Sequence, residues 1–294
     1  MRLEKKATVV STSVATLLVV IKMSVGVLSG SVAVLASAID SFLDLTVSLF
    51  NYFALHNAEK APDDKFHFGR GKIEPLASVI EGVVISLSAL FILYEALSKI
   101  VHNQKMTDMQ DSIAVMIVSI VITTGLVLFL NYVAKKTNNM VIKADALHYK
   151  TDLYTNGAIL LSLAIIHFTD IYIIDPILGI FIAFYMIYSA YPIIEEGVLM
   201  LLDVALDKED IQKIENTIKQ ENEISTFHYL QTREAGSDIF ISVHLVFKDS
   251  KISLYDAHNI SDSIEDKIKK LFEDKKCQIT IHMDPYDDSH SNHH

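Results

Sequence analysis

His148 and Asp152 stand four residues apart within A-D-A-L-H-Y-K-T-D-L at 144–153, and Asp40 and Asp44 repeat that interval within V-L-A-S-A-I-D-S-F-L-D-L. On a helix the interval puts both side chains on one face, about 6 Å apart along the axis. Both pairs lie in long apolar runs, where a charge at mid-bilayer costs about 2.5–3.5 kcal/mol on insertion scales. Three carboxylates and an imidazole from two helices make a four-ligand set for a divalent cation. The bland reading is a polar brace or ion pair between the two helices. A cluster of three acids and one His carries net negative charge, which protons or a metal ion must neutralise. Arriving metal would expel protons and returning protons would expel metal, so the residue types point to metal–proton antiport. His148 is the expected proton carrier, because imidazole titrates near pH 6.5, about neutrality.

Helices that cross a membrane are needed to hold such residues. The chain has 294 residues, 51% of them hydrophobic, with mean hydropathy +0.33. The apolar excess is confined to residues 7–200. This divides the chain into a transport domain at 1–205, a cytoplasmic regulatory and dimerisation domain at 206–286 and a flexible His-containing tail at 287–294. A formal charge of −11 argues against nucleic acid as a partner. The single cysteine, Cys277, excludes an internal disulfide and suits a reducing compartment. The N-terminus M-R-L-E-K-K has no small-residue cleavage site before its apolar run, and reads as a retained span.

Six apolar stretches, at about 7–28, 32–56, 77–101, 111–134, 145–167 and 171–194, approach the roughly 20 residues that a spanning helix requires. The turns at Ser29-Gly30-Ser31 and Thr169-Asp170 carry no Lys or Arg. Lys60, Lys65, Arg70 and Lys72 load one connection and Lys135, Lys136 and Lys143 another. With Arg2, Lys5 and Lys6 they place both termini in the cytoplasm, Lys99 and Lys105 being a mild exception. Polar stripes mark the second and fifth spans, which should therefore face each other. Lys22 is expected to snorkel to the interface, and Glu81 and Glu95 take no assigned role. After 206 the pattern is helix–strand–strand–helix–strand, an α/β sandwich of ferredoxin-like αββαβ type. Ile239, Ile241, Val243 and Leu245 alternate on one strand face.

The chain resembles the cation diffusion facilitator family from end to end, in its zinc/cadmium/iron-type bacterial members. The resemblance rests on G-S-V-A-V-L-A-S-A-I-D-S-F-L-D at 30–44, F-G-R-G-K-I-E at 68–74, A-D-A-L-H-Y-K-T-D at 144–152 and I-H-M-D-P at 281–285. It implies a homodimeric exporter of divalent metal from the cytoplasm by alternating access and proton antiport. Asp40, Asp44, His148 and Asp152 would form a tetrahedral transport site, in the composition of members that prefer Zn²⁺ and Cd²⁺, with Fe²⁺ a further cargo. It also implies a cytoplasmic Zn²⁺ cluster at His228, His244, His258, His282 and Asp284, with Tyr286 where a further ligand would stand. Lys72 and Asp203 would form a charge pair at the membrane–tail hinge. In the 61–74 loop the sequence departs from the family: Asp63 matches an acidic ligand, but Phe66 and Arg70 replace two histidines. Asp63, Asp64 and His67 offer a weak metal site there, against an ordinary basic juxtamembrane loop.

A bacterial inner membrane is the expected setting, with metal ions, protons, lipid and a second copy as partners and no organic cofactor. A channel fits poorly, because a four-ligand site binds too tightly for rapid flux. A metalloenzyme would show His-Glu-x-x-His or an open three-ligand site beside a base. Two alternatives stay open: a manganese- or iron-preferring exporter of the same family, and a membrane-anchored metal sensor working through the tail.

Overall fold

A computed structural model describes residues 2–30, 32–102, 110–169, 171–273 and 275–289. Lys105, Asp170 and the 290–294 portion of the His-containing tail lie outside the described residues. The chain divides into two compact units, Met1–Val198 and Leu199–His294.

The first unit is helical: α1 (Leu3–Ser29), α2 (Val32–Ala58), α3 (Ile73–Val101), α4 (Gln110–Thr137), α5 (Met140–Thr169) and the greater part of α6 (Ile174–Leu201). Gly30 closes α1 at φ +68°, the left-handed cap that lets the chain turn straight into α2. Five of these helices, α1, α2, α3, α4 and α6, are long and apolar enough to cross a membrane. The sixth expected span, α5, is not in that set. Lys143, Asp145, Lys150, Asp152 and Asn156 dilute its hydropathy, although it is 30 residues long. Residues such as Leu87, Phe91, Val121, Leu128 and Phe181 point outward and are exposed, as lipid-facing side chains would be.

α5 is the axis of this unit. Ile142, Ala146 and Tyr149 pack with Ala7 of α1 and Leu126, Leu130 and Val133 of α4. Leu147 joins Ile85 and Ala89 of α3 to Ala183, Met186 and Ala190 of α6. Val141 meets Ala54 of α2 and Ala77 of α3. Glycines bring α3 and α6 close together: a Cβ on Gly82 would stand 2.6 Å from Ile194, and one on Gly197 2.6 Å from Val79. Small residues are how helices approach without a hydrophobic drive between them.

The second unit follows the expected element order: α7 (Lys208–Lys219), β1 (Ile224–Ala235), β2 (Asp238–Phe247), α8 (Leu254–Leu271) and β3 (Lys276–Asp284). The sheet order is β1-β2-β3, with β1 and β2 antiparallel and β2 and β3 parallel. Ile239, Ile241, Val243, Leu245 and Phe247 turn to one face and bury against Ile214 and Ile218 of α7 and Ile264 and Ile268 of α8. The period-two alternation thus leaves the even positions of β2, His244 among them, on the face opposite the helices.

Candidate metal centres

α2 and α5 face each other, as their polar stripes require. The Ser48 and Tyr149 hydroxyls hydrogen-bond at 2.6 Å. Above that bond, His148 Nε2 lies 3.4 Å from Asp44 Oδ1 and 3.7 Å from Asp152 Oδ2. These separations exceed a normal hydrogen bond. The first lies on the edge of a tetrahedron around Zn²⁺ and the second just beyond it: ligand bonds of about 2.0–2.2 Å put ligand atoms about 3.3–3.6 Å apart. His148 Nε2 and Asp152 Oδ2 are buried without a hydrogen-bond partner among the described residues. Such atoms are costly in an apolar bundle unless a cation or proton meets them.

Asp40 is placed differently. It lies one turn away on α2, exposed, and is not gathered with the other three. Lys22 also departs from expectation. It is 7% exposed and turned into the bundle, donating to Ser41 Oγ at 2.7 Å and to the Ser37 carbonyl at 3.4 Å. The ammonium finds hydroxyl and carbonyl acceptors inside the bundle, so it need not snorkel. Lys99 pairs with Asp175 of α6 at 2.9 Å, which accounts for its exception to the charge count.

In the 61–74 loop the described residues do not converge as a ligand set. Asp63 accepts from the backbone N–H groups of Lys65 and Phe66, at 3.0 and 2.9 Å, and pairs with Arg70. Those backbone bonds, led by that from Phe66, hold its carboxyl below the usual carboxylate range. The Arg70 guanidinium also sits over the Phe66 ring, 4.4 Å from its centroid. His67 Nε2 contacts the Asp64 carbonyl instead, at 3.1 Å.

The tail cluster is built by strand register. His228 of β1 pairs with His244 of β2, and His244 with His282 of β3, so three imidazoles stand side by side. A register shift follows His228, and Tyr229 takes φ +50°, a bulge that re-aims the strand beside the site. The His228 and His244 rings lie 5.0 Å apart, and His244 stacks on His282 at 4.5 Å. Buried Asp284 gathers them: its Oδ2 is 3.2 Å from His244 Nδ1 and 3.4 Å from His228 Nε2, and its Oδ1 is 3.1 Å from His282 Nε2. Asp288, which the sequence motifs did not single out, adds a carboxylate 3.2 Å from His228 Nε2. The convergent group is thus His228, His244, Asp284 and Asp288. These separations fit tetrahedral Zn²⁺ as well as the membrane group does, and neither His228 ring nitrogen has a hydrogen-bond partner among the described residues. Burial, then the neighbouring His282, pushes the His244 imidazole below its ordinary pKa, which favours the neutral, ligating form. His258 stands apart on α8, exposed and paired with Asp262 at 3.5 Å. Asp203 accepts from Arg233 at 3.1 Å; Lys72 belongs to the other unit.

Helices long and apolar enough to span a membrane, with a half-buried Asp–His–Asp group that could hold a metal ion, followed by an α/β unit with a second such group, point to a multi-pass membrane protein. Comparison with known proteins makes this specific. Residues 8–202 match the cation efflux transmembrane domain and residues 206–286 the cation efflux protein cytoplasmic domain. The chain belongs to the cation efflux family. It is 35% identical over 284 residues to the cation-efflux pump FieF of Escherichia coli O1:K1 / APEC, spanning 97% of this chain and 93% of that protein. It is 34% identical over 286 residues to protein p34 of Rickettsia prowazekii strain Madrid E, with the same coverage of 97% and 93%. Among solved structures, the Zn form of a putative zinc transporter, CzrB, aligns at 28% identity with TM-score 0.26, covering 28% of this chain and 92% of that one.

Proposed function

We propose that this protein exports Zn²⁺, with Cd²⁺ or Fe²⁺ as further cargo, from the cytoplasm in exchange for protons. The observation that carries the reading is the spacing of Asp44, His148 and Asp152, whose 3.4 and 3.7 Å separations suit a tetrahedral ion. An imidazole among the ligands favours Zn²⁺ over Mn²⁺, which prefers oxygen. The ligands bind metal only when deprotonated, so metal and protons compete for one site. α5 acts as the sixth span. Its polar residues are tolerated because Asp145, Thr151 and Ser162 are turned into protein rather than lipid. Alternating access would expose the group first to the cytoplasm and then outside, with Asp40 completing the ligand set in a different conformation.

The second unit is read as a cytoplasmic, ferredoxin-like regulatory and dimerisation domain. Zn²⁺ held by His228, His244, Asp284 and Asp288 would be structural or regulatory. The protein would act as a homodimer in a bacterial inner membrane, both termini cytoplasmic. Weak metal binding by the 61–74 loop belongs to the same proposal.

The test is Zn²⁺ uptake into proteoliposomes under an imposed pH gradient, comparing wild type with Asp152→Ala. Uptake that follows the gradient and is abolished by the substitution is expected. Normal transport by the variant would return α2 and α5 to the role of a structural brace, and uptake indifferent to the gradient would remove the proton coupling.

A further inference from the structure

We propose that Glu81, Asp145 and Asn51 form a second, oxygen-only divalent-cation station inside the bundle, next to the Asp44–His148–Asp152 group. This rests on the reading that the bundle moves divalent cations. Each of three helices contributes one residue: Asn51 from α2, Glu81 from α3 and Asp145 from α5. All three are buried, at 0%, 2% and 0% exposure respectively. They meet at one atom, Asn51 Nδ2, which donates to Glu81 Oε2 at 3.0 Å and to Asp145 Oδ1 at 3.3 Å. The remaining oxygen of each group, Asn51 Oδ1, Glu81 Oε1 and Asp145 Oδ2, has no hydrogen-bond partner among the described residues.

Two carboxylates brought to one amide repel each other unless something positive joins them. No Lys or Arg among the described residues is paired with either. The helices set the station beside the transport group in a consistent register. Asn51 follows Asp44 by seven residues on α2, about 10 Å, while Asp145 precedes His148 by three on α5, about 4.5 Å. Farther along, Ala54 meets Val141. The station therefore lies toward the end of the bundle that carries the basic connections. Carboxylate and amide oxygens without nitrogen or sulfur suit hard divalent ions, Mn²⁺, Mg²⁺ or Fe²⁺, better than Zn²⁺. An ion held there would reach the imidazole-containing group by a shift of about 4.5–10 Å along the helices. Asn51 would turn its oxygen inward to complete the set.

The probe is Mn²⁺, counted by electron paramagnetic resonance on the full chain in detergent. The background carries Asp44→Ala and Asp152→Ala to disable the transport group. Glu81→Gln and Asp145→Asn are then added separately, since both keep shape and hydrogen-bonding capacity and either one that folds decides the matter. The expected result is at least tenfold weaker binding of one Mn²⁺ in the folded variant, with the remaining sites unchanged. An unchanged Mn²⁺ isotherm in any folded variant would overturn the station and leave a proton-sharing brace. Because binding is counted without flux, this failure is separable from a failure of transport itself, which would show as no gradient-driven uptake by wild type.

Discussion

At the scale of single residues, neighbours of the same type have different surroundings. Asp44 and Asp40 differ by one helical turn, yet only Asp44 lies with His148 and Asp152. Asp44→Asn is expected to weaken Zn²⁺ binding in detergent at least tenfold, about 1.4 kcal/mol, and Asp40→Asn distinctly less. Equal losses would mean that Asp40 joins the ligand set in the resting conformation. In the tail, Asp284→Asn should abolish Zn²⁺ binding to the second unit, whereas His258→Ala should leave it intact, because His258 lies with Asp262 on α8. The pH dependence follows from His244. Its folded pKa is depressed, so the unfolded chain takes up its proton first; the stability this imidazole contributes is complete above about pH 6.5 and is lost as pH falls below it. Zn²⁺ affinity of the tail, measured by titration calorimetry across pH 5–8, should fall in the same direction.

At the scale of elements, α5 and the α3–α6 contact set what the bundle tolerates. A side chain at Gly82 or Gly197 would be driven into Ile194 or Val79. Gly197→Val should destabilise by about 1–3 kcal/mol, as overpacking does, and lower the thermal midpoint of the detergent-solubilised protein. An unchanged midpoint would show that α3 and α6 part without cost. The Ser48–Tyr149 bond, at 2.6 Å, ties α2 to α5 just below the Asp44–His148–Asp152 group. Tyr149→Phe should keep the packing of this buried ring and cost about 1–3 kcal/mol, since it leaves the Ser48 hydroxyl unpaired.

At the scale of the whole molecule, two units with separate cores each carry a group that could hold a metal ion. Saturating Zn²⁺ should therefore stabilise them separately. At one hundred times the dissociation constant a single site contributes about 2.7 kcal/mol. Scanning calorimetry of the full chain should show the transition of the second unit rising with Zn²⁺, and Asp284→Asn should remove that rise while leaving the membrane transition in place.

Much of this was already legible in the sequence. The four-residue spacing of His148 and Asp152, the polar stripes, the run of apolar stretches and the alternation of Ile239, Ile241, Val243 and Leu245 are local patterns. Helix and strand periodicity convert such patterns directly into faces. Tertiary structure alone decided what depends on distance between elements. It separated Asp40 from Asp44, turned Lys22 inward, brought Asp288 to His228 and left His258 on a helix surface. It also gathered Glu81, Asn51 and Asp145, to none of which the sequence reading gave a role, from three helices onto one amide nitrogen. Periodicity says which way a side chain points along its own element. Which atom it meets depends on packing between elements, and helix packing is determined by small residues such as Gly82 and Gly197 that carry no chemical signature of their own.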